Sequence, residues 1–208
     1  MKRFCVCLLA CCMALSLCAC REAPREELVA DKPVIYLYPE AETDVHVEVE
    51  PDGSLATTYP AYGIGWDITA APDGSLTDAE GNRYPYLFWE GTIRSEYDFS
   101  EGFCVKREDS AAFLENALPK LGLSEPEMRE FIVYWLPILE ASPYNLISFQ
   151  TDAYTDHACL QITPEPDTVI RVFMAFRQLQ SPVEIAPQTL TAPERTGFTV
   201  VEWGGSLA

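Results

Sequence analysis

Apolar and polar side chains alternate with a period of two along several stretches of the chain. Val45, Val47 and Val49 alternate with His46, Glu48 and Glu50, and Trp66, Ile68 and Ala70 repeat the pattern. Over residues 169–177, Ile170, Val172, Met174 and Phe176 point one way while Arg171 and Arg177 point the other. Each stretch predicts a strand with one buried face. Two further stretches are apolar on both faces and predict interior strands: residues 32–39, fenced by Pro33 and Pro39, and residues 84–91, Tyr-Pro-Tyr-Leu-Phe-Trp-Glu-Gly. The second is the densest in aromatic side chains and is expected at the centre of the sheet. Residues 145–150, 158–163 and 198–203 predict three more strands, with shorter ones at 103–105 and 182–185.

Between residues 110 and 140 the period changes to that of a helix. Phe113, Leu114, Ala117, Leu118 and Leu121 share one face behind Ser110, a candidate cap, and Pro119 predicts a break. Ser124-Glu125-Pro126-Glu127 is a capping box with Pro in the first turn, followed by Met128, Phe131, Ile132, Trp135, Leu136 and Leu139 at helical spacing. Pro137 is expected to end or bend this second helix. The motif Pro-Asp-Gly-Ser-Leu occurs at residues 51–55 and again at 72–76, and each copy predicts a hairpin turn. Asp78-Ala79-Glu80-Gly81-Asn82 shares residues with a calcium loop but lacks its 12-residue spacing, so it reads as a polar turn. Strands on both sides of a helical pair predict a single α+β domain over residues 32–208, mostly antiparallel β-sheet with an inserted helical pair at about 110–140.

The first 31 residues follow a different pattern. Lys2 and Arg3 precede an apolar run from Phe4 to Leu17 that is shorter than the ~20 residues a membrane span needs. Leu17-Cys18-Ala19-Cys20 has the order of a bacterial lipobox, which predicts a signal peptide at 1–19, acylation (palmitate included) of Cys20 and a short tether at 20–31. An ordinary secretory signal is the alternative. Either reading places the chain outside the cytoplasm, and the first holds it on the bacterial membrane by several acyl chains. Acidic side chains number 32 against 14 basic ones, two of them in the leader, so the mature chain carries about −20. That charge repels phosphate backbones and argues against nucleic-acid binding.

Of eight cysteines, six belong to the leader and its lipobox, leaving Cys104 and Cys159 as a disulfide or two separate thiols. His157 and Cys159, with Cys104, offer three zinc-type ligands and no evident fourth, so no metal or other cofactor is assigned. Residues 32–39 and 84–91, together with Tyr134-Trp135-Leu136-Pro137, residues 143–150 and Val201-Glu202-Trp203-Gly204-Gly205, resemble a family of uncharacterised bacterial secreted proteins and lipoproteins. The resemblance implies an envelope location and one domain, and brings no activity.

One pair of carboxylates invites a chemical reading. Glu90 and Glu202 each extend an apolar row and each sits beside a tryptophan. In a shared cleft they could act as the acid and base of a glycosidase, with Trp89 and Trp203 stacking on sugar rings. Otherwise they cap strand ends, reaching water or a basic partner such as Arg171. No nucleophile elbow, zinc-protease helix or phosphate loop is present in the sequence. The expectation is therefore a non-catalytic envelope lipoprotein that binds a protein or envelope polymer, with a two-glutamate glycosidase as the alternative.

Overall fold

The structure, a computed structural model, describes residues 27–208, so the leader and Cys20 lie outside the described residues. In chain order the strands are β1 (Leu28–Tyr38), β2 (Thr43–Pro51), β3 (Ser54–Tyr59), β4 (Trp66–Ala70), β5 (Leu76–Thr77) and β6 (Arg83–Tyr84). After these come β7 (Leu87–Ile93), β8 (Phe103–Lys106), β9 (Tyr144–Gln150), β10 (Ala158–Thr163), β11 (Thr168–Leu179) and β12 (Thr199–Leu207). The helices are α1 (Ser110–Ala117), α2 (Glu125–Leu139) and the single turn α3 (Asp152–Thr155).

The strands form two sheets. One has seven strands in the order β3-β7-β1-β12-β11-β9-β8, and the other five in the order β10-β2-β4-β5-β6. All pairs are antiparallel except β11 with β12. The period-two pattern explains the stacking. Val45, Val47 and Val49 on β2 stand opposite Ile68, Trp66 and Leu160 on its neighbours, which makes one face of the small sheet continuously apolar. That face packs on Ile35, Leu37, Leu87, Trp89, Phe173 and Val200 of the large sheet. The opposite face of the large sheet carries Val34, Tyr36, Ile170, Val172, Met174, Phe176, Val201 and Trp203, and these pack against Leu114, Phe131, Trp135 and Leu139 of the helices. The domain is thus α+β and mostly antiparallel, in three layers with a core on each side of the seven-stranded sheet.

Several expectations are met at the level of single elements. The capping box forms, with the Ser124 amide donating to the Glu127 carboxylate at 2.7 Å. Pro119 turns the end of the first helix into a 3-10 segment, Leu118–Leu121, and α2 stops two residues past Pro137. Ser110 differs: its hydroxyl makes no cap and is buried without a partner.

Larger departures come from sheet membership. Residues 84–91 do not form one central strand. Tyr84 closes the five-stranded sheet in β6, and Pro85, lacking an amide proton, interrupts the ladder before β7 enters the large sheet next to the edge strand β3. The central places go to β1, β12 and β11. β1 also begins earlier than the predicted tether allows, at Leu28, and bulges at Asp31–Val34 with Lys32 at φ 57°. The two Pro-Asp-Gly-Ser copies have different uses. The second closes the β4–β5 hairpin, where Asp73 accepts from the Ser75 amide at 2.9 Å. The first carries the chain from β2 in one sheet to β3 in the other, so it is a corner and not a hairpin. Asp52 there accepts from the Arg94 amide at 2.7 Å and contacts His157 Nδ1 at 2.7 Å, which ties it across the domain. Residues 182–185, expected as a strand, belong to a long strap from β11 to β12 whose one isolated β-bridge among the described residues is Glu101–Ala186. A parallel pair requires such a crossover.

Gly205 sits at the tightest contact between sheet and helix, where a Cβ would lie 2.7 Å from both the Met174 carbonyl oxygen and Trp135 Cζ2. We expect Gly205→Ala to lower stability by about 1–3 kcal/mol through overpacking. Val133→Ala, on the exposed side of α2, should leave it nearly unchanged. Urea midpoints at constant slope read both.

Candidate functional site

Glu90 and Glu202 do not share a cleft. Glu202 and Leu87 both stand opposite Ile35 in the ladder, whereas Phe88, two residues before Glu90, stands opposite Val34. Ile35 and Val34 face opposite cores, so the two carboxylates project from opposite faces of one sheet. The alternative reading of an acid–base pair is corrected on that ground: strand alternation that extends an apolar row in each case extends two different rows. The tryptophans are equally unavailable for stacking on a ligand, since Trp89 and Trp203 are buried in separate cores.

Glu202 instead belongs to an internal polar network. Arg171, opposite it on β11, donates from Nε to Oε2 at 2.6 Å, and Trp89 donates from Nε1 to Oε1 at 3.1 Å. Tyr154 of α3 lies under the guanidinium, 4.8 Å from ring centroid to Cζ, and stacks on Phe173 at 4.0 Å. Burial works against the Arg171 charge, and the Glu202 carboxylate beside it more than offsets that. Burial likewise pushes the Tyr154 phenol well above its ordinary range. Arg171 Nη2 is buried and has no hydrogen-bond partner among the described residues. The basic partner was readable as a possibility in the sequence; the burial of the pair was not.

Glu90 lies on the helix-side face, where a second group of polar side chains gathers at the β1 bulge. The helices cover β12, β11, β9 and β8 on this side, but β7 contributes only partly buried Phe88 and β3 contributes nothing to that core. An open shelf remains. Tyr59 stands opposite Phe88, and Thr57 opposite Glu90. The Lys32 ammonium reaches over three rings, 5.3 Å from Tyr86, 5.2 Å from Phe88 and 5.6 Å from Tyr134. Asp31 sits beside Glu90; partial burial raises its carboxyl above the usual range and the Glu90 charge adds to the rise. The bulge carries a non-glycine residue at positive φ, a strain of about 1–3 kcal/mol of the kind that accumulates at ligand clamps and active sites. Sequence reasoning named Glu90 alone; Asp31, Lys32 and Tyr134 needed the bulge and the helix to bring them together.

The remaining candidates are separate. Cys104 lies on β8 in the large sheet and Cys159 on β10 at the edge of the small one, and both are free thiols. The disulfide alternative is therefore not realised. His157 is engaged by Asp52 and not by either cysteine. Among the described residues no group of His, Cys, Asp and Glu is arranged to hold a metal ion, and no helix is long and apolar enough to cross a membrane. His46, read as solvent-facing, is held between two carboxylates, with Nδ1 2.7 Å from Asp67 and Nε2 3.1 Å from Glu48.

Comparison with known proteins adds one relative. A stretch of 63 residues is 44% identical to a Butyrivibrio fibrisolvens protein described as an uncharacterized protein in the bglA 3'region. The match takes in 29% of this chain and 65% of that protein. No family model matches the chain, and no solved structure does.

Removing one member of the Arg171–Glu202 pair strands a buried charge, so Arg171→Met or Glu202→Leu alone should cost about 3–5 kcal/mol. The double variant should recover most of that loss, as read by chemical denaturation of all three. Two carboxylates flank one imidazole and favour its protonated form; the Asp67 hydrogen bond leads in raising the His46 pKa. The stability this contributes is fully present below the unfolded-state value near ~6.5. It is lost as pH rises through the higher folded-state value. A proton-NMR titration should place the His46 midpoint above that of an unfolded peptide, and His46→Gln should remove this part of the pH dependence.

Proposed function

We propose that the chain is a bacterial envelope lipoprotein, anchored by acyl chains on Cys20, whose domain is a non-catalytic module binding an extended, hydroxyl-rich envelope polymer. The observation that carries this reading is the uncovered shelf on β3, β7 and β1. There Tyr59, 62% exposed, continues the row of Phe88 and Lys32 beside the Asp31 and Glu90 carboxylates. Aromatic faces offer apolar contact to sugar rings, carboxylates accept hydrogen bonds from hydroxyls, and one ammonium donates. The chain's acidity disfavours a polyanionic partner and is neutral toward an uncharged glycan.

The anchor fits this placement. The shelf adjoins the N-terminal half of β1, and seven residues separate Cys20 from Leu28. Even fully extended, such a tether reaches only about 25–30 Å, so the domain would ride close to the lipid surface with the shelf near its attachment point. The likeness to secreted proteins and lipoproteins in residues 32–39 and 84–91 agrees with this location. A glycosidase run by Glu90 and Glu202 is disfavoured, because carboxylates on opposite faces of a sheet cannot flank one glycosidic bond.

We expect the full chain to fractionate with membranes and Cys20→Ala to appear in the soluble fraction. In co-sedimentation with purified insoluble cell-wall glycan, Tyr59→Ala and Glu90→Gln should each weaken retention about tenfold or more without lowering the melting temperature. Retention by a protein partner in place of glycan, or a Cys20→Ala chain still in membranes, would refute the corresponding half of the proposal.

A further inference from the structure

The ladder between β9 and β11 ends at Gln150 opposite Phe173, yet β11 extends back to Thr168. Past that point the chain of β9 turns away into α3. The first half of β11 therefore has β12 on one side and a gap on the other. The direction of its main-chain groups follows from the ladder. The Gln188 side chain accepts from the Phe149 amide at 2.9 Å and donates to the Phe149 carbonyl at 2.6 Å. Phe149 thus turns its main chain away from β11, and its pairing with Met174 is of the non-hydrogen-bonded kind. Because the two kinds of pair alternate, Phe173 turns its N–H and C=O toward β9. Arg171 and Val169, two and four residues earlier, turn theirs into the gap. No hydrogen bond among the described residues reaches those groups.

The gap is a cleft of about 340 Å³, within the range of small-ligand pockets, roofed by the strap at residues 188–193. Thr151, Thr155, Thr189 and Thr191 line it, with Leu121 and Leu190 as apolar wall. Arg171 also lines it, its side chain 10% exposed, with Nε committed to Glu202 and Nη2 buried without a partner. A guanidinium carries five N–H donors, and the Glu202 contact uses one of them. A buried ion pair is a weak source of stability compared with apolar side chains. Here it holds an arginine, with donors to spare, at the wall of a cleft. Asp152, exposed, is the other charged residue lining that cleft.

The geometry points to a binding site for a short extended peptide that ends in a free carboxylate. The peptide adds to β11 as the missing continuation of β9, hydrogen-bonding the main chain of Val169 and Arg171, while the Arg171 guanidinium takes its terminal carboxylate. Asp152 supplies an acceptor for an ammonium or N–H group at the other end. This site is distinct from the shelf on β3 and β7 and stands whether or not that surface binds glycan.

The test is titration of the full chain, isotope-labelled and in detergent, with Ala-Ala-Ala and with its C-terminal amide. The free acid should give saturable amide shifts at Val169, Arg171 and Val172, and the amide should bind at least tenfold more weakly. Val169→Pro removes a cleft-side N–H that has no ladder partner, so it should keep its melting temperature and lose tenfold or more in affinity. Equal binding of acid and amide would overturn the proposal, as would the absence of saturable shifts with either peptide on the folded chain. A folded Val169→Pro chain that binds as the parent does would also overturn it. Should that variant fail to fold, the comparison of acid with amide on the parent chain decides alone.

Discussion

The centre of the seven-stranded sheet is buried on both faces, and most of the structure follows from that constraint. A strand with water on one side tolerates polar residues at every second position. A strand between two apolar layers does not, and β1, β11 and β12 are accordingly apolar on both sides over much of their length. On one side the five-stranded sheet supplies Val45, Val47, Val49, Trp66 and Ile68. On the other, the helices supply Phe131, Trp135 and Leu139. Each layer buries its apolar face against the large sheet, so sheet, helices and second sheet are mutually dependent.

Against that background two carboxylates are buried in ion pairs, Glu127 with Arg195 and Glu202 with Arg171, and the second lies within the sheet. A carboxylate 1% exposed costs several kcal/mol to desolvate unless it is paired and hydrogen-bonded. Here Arg171 and Trp89 together occupy both its oxygens. The pair lies where the large sheet is incomplete, beside the point at which β9 leaves β11. The second polar concentration, at the β1 bulge, lies where the helical layer stops short. These two polar groups thus coincide with a gap in the layer that would otherwise cover them.

Local pattern carried much of the fold. The alternation at Ile170, Val172, Met174 and Phe176 identified one face of β11, and all four enter the same core. The capping box at Ser124 and the break at Pro119 were legible because both act within one turn of chain. The candidate site was legible only in part. Glu90 and Glu202 stood out for similar neighbours, a Trp next to each and a Gly one or two residues after it, yet those neighbours fix alternation along a strand and not which layer the strand's face meets. The two Pro-Asp-Gly-Ser turns show the same limit. Identical residues make a hairpin at Asp73 and a corner between sheets at Asp52, because the partners of the following strand lie tens of residues away.

By itself, then, the sequence determined most element types, their apolar faces, the chain's net acidity and the lipobox-like order at residues 17–20. All of these rest on contacts within a few residues or on composition. Tertiary structure alone decided that residues 84–91 split between two sheets and that β11 pairs in parallel with β12. It also decided that Arg171 is buried against Glu202 and that Lys32 is held over Tyr86, Phe88 and Tyr134. The physical reason is that strand order and layer stacking are settled by long-range burial, in which many pairings satisfy the same period-two pattern and only the assembled core selects among them.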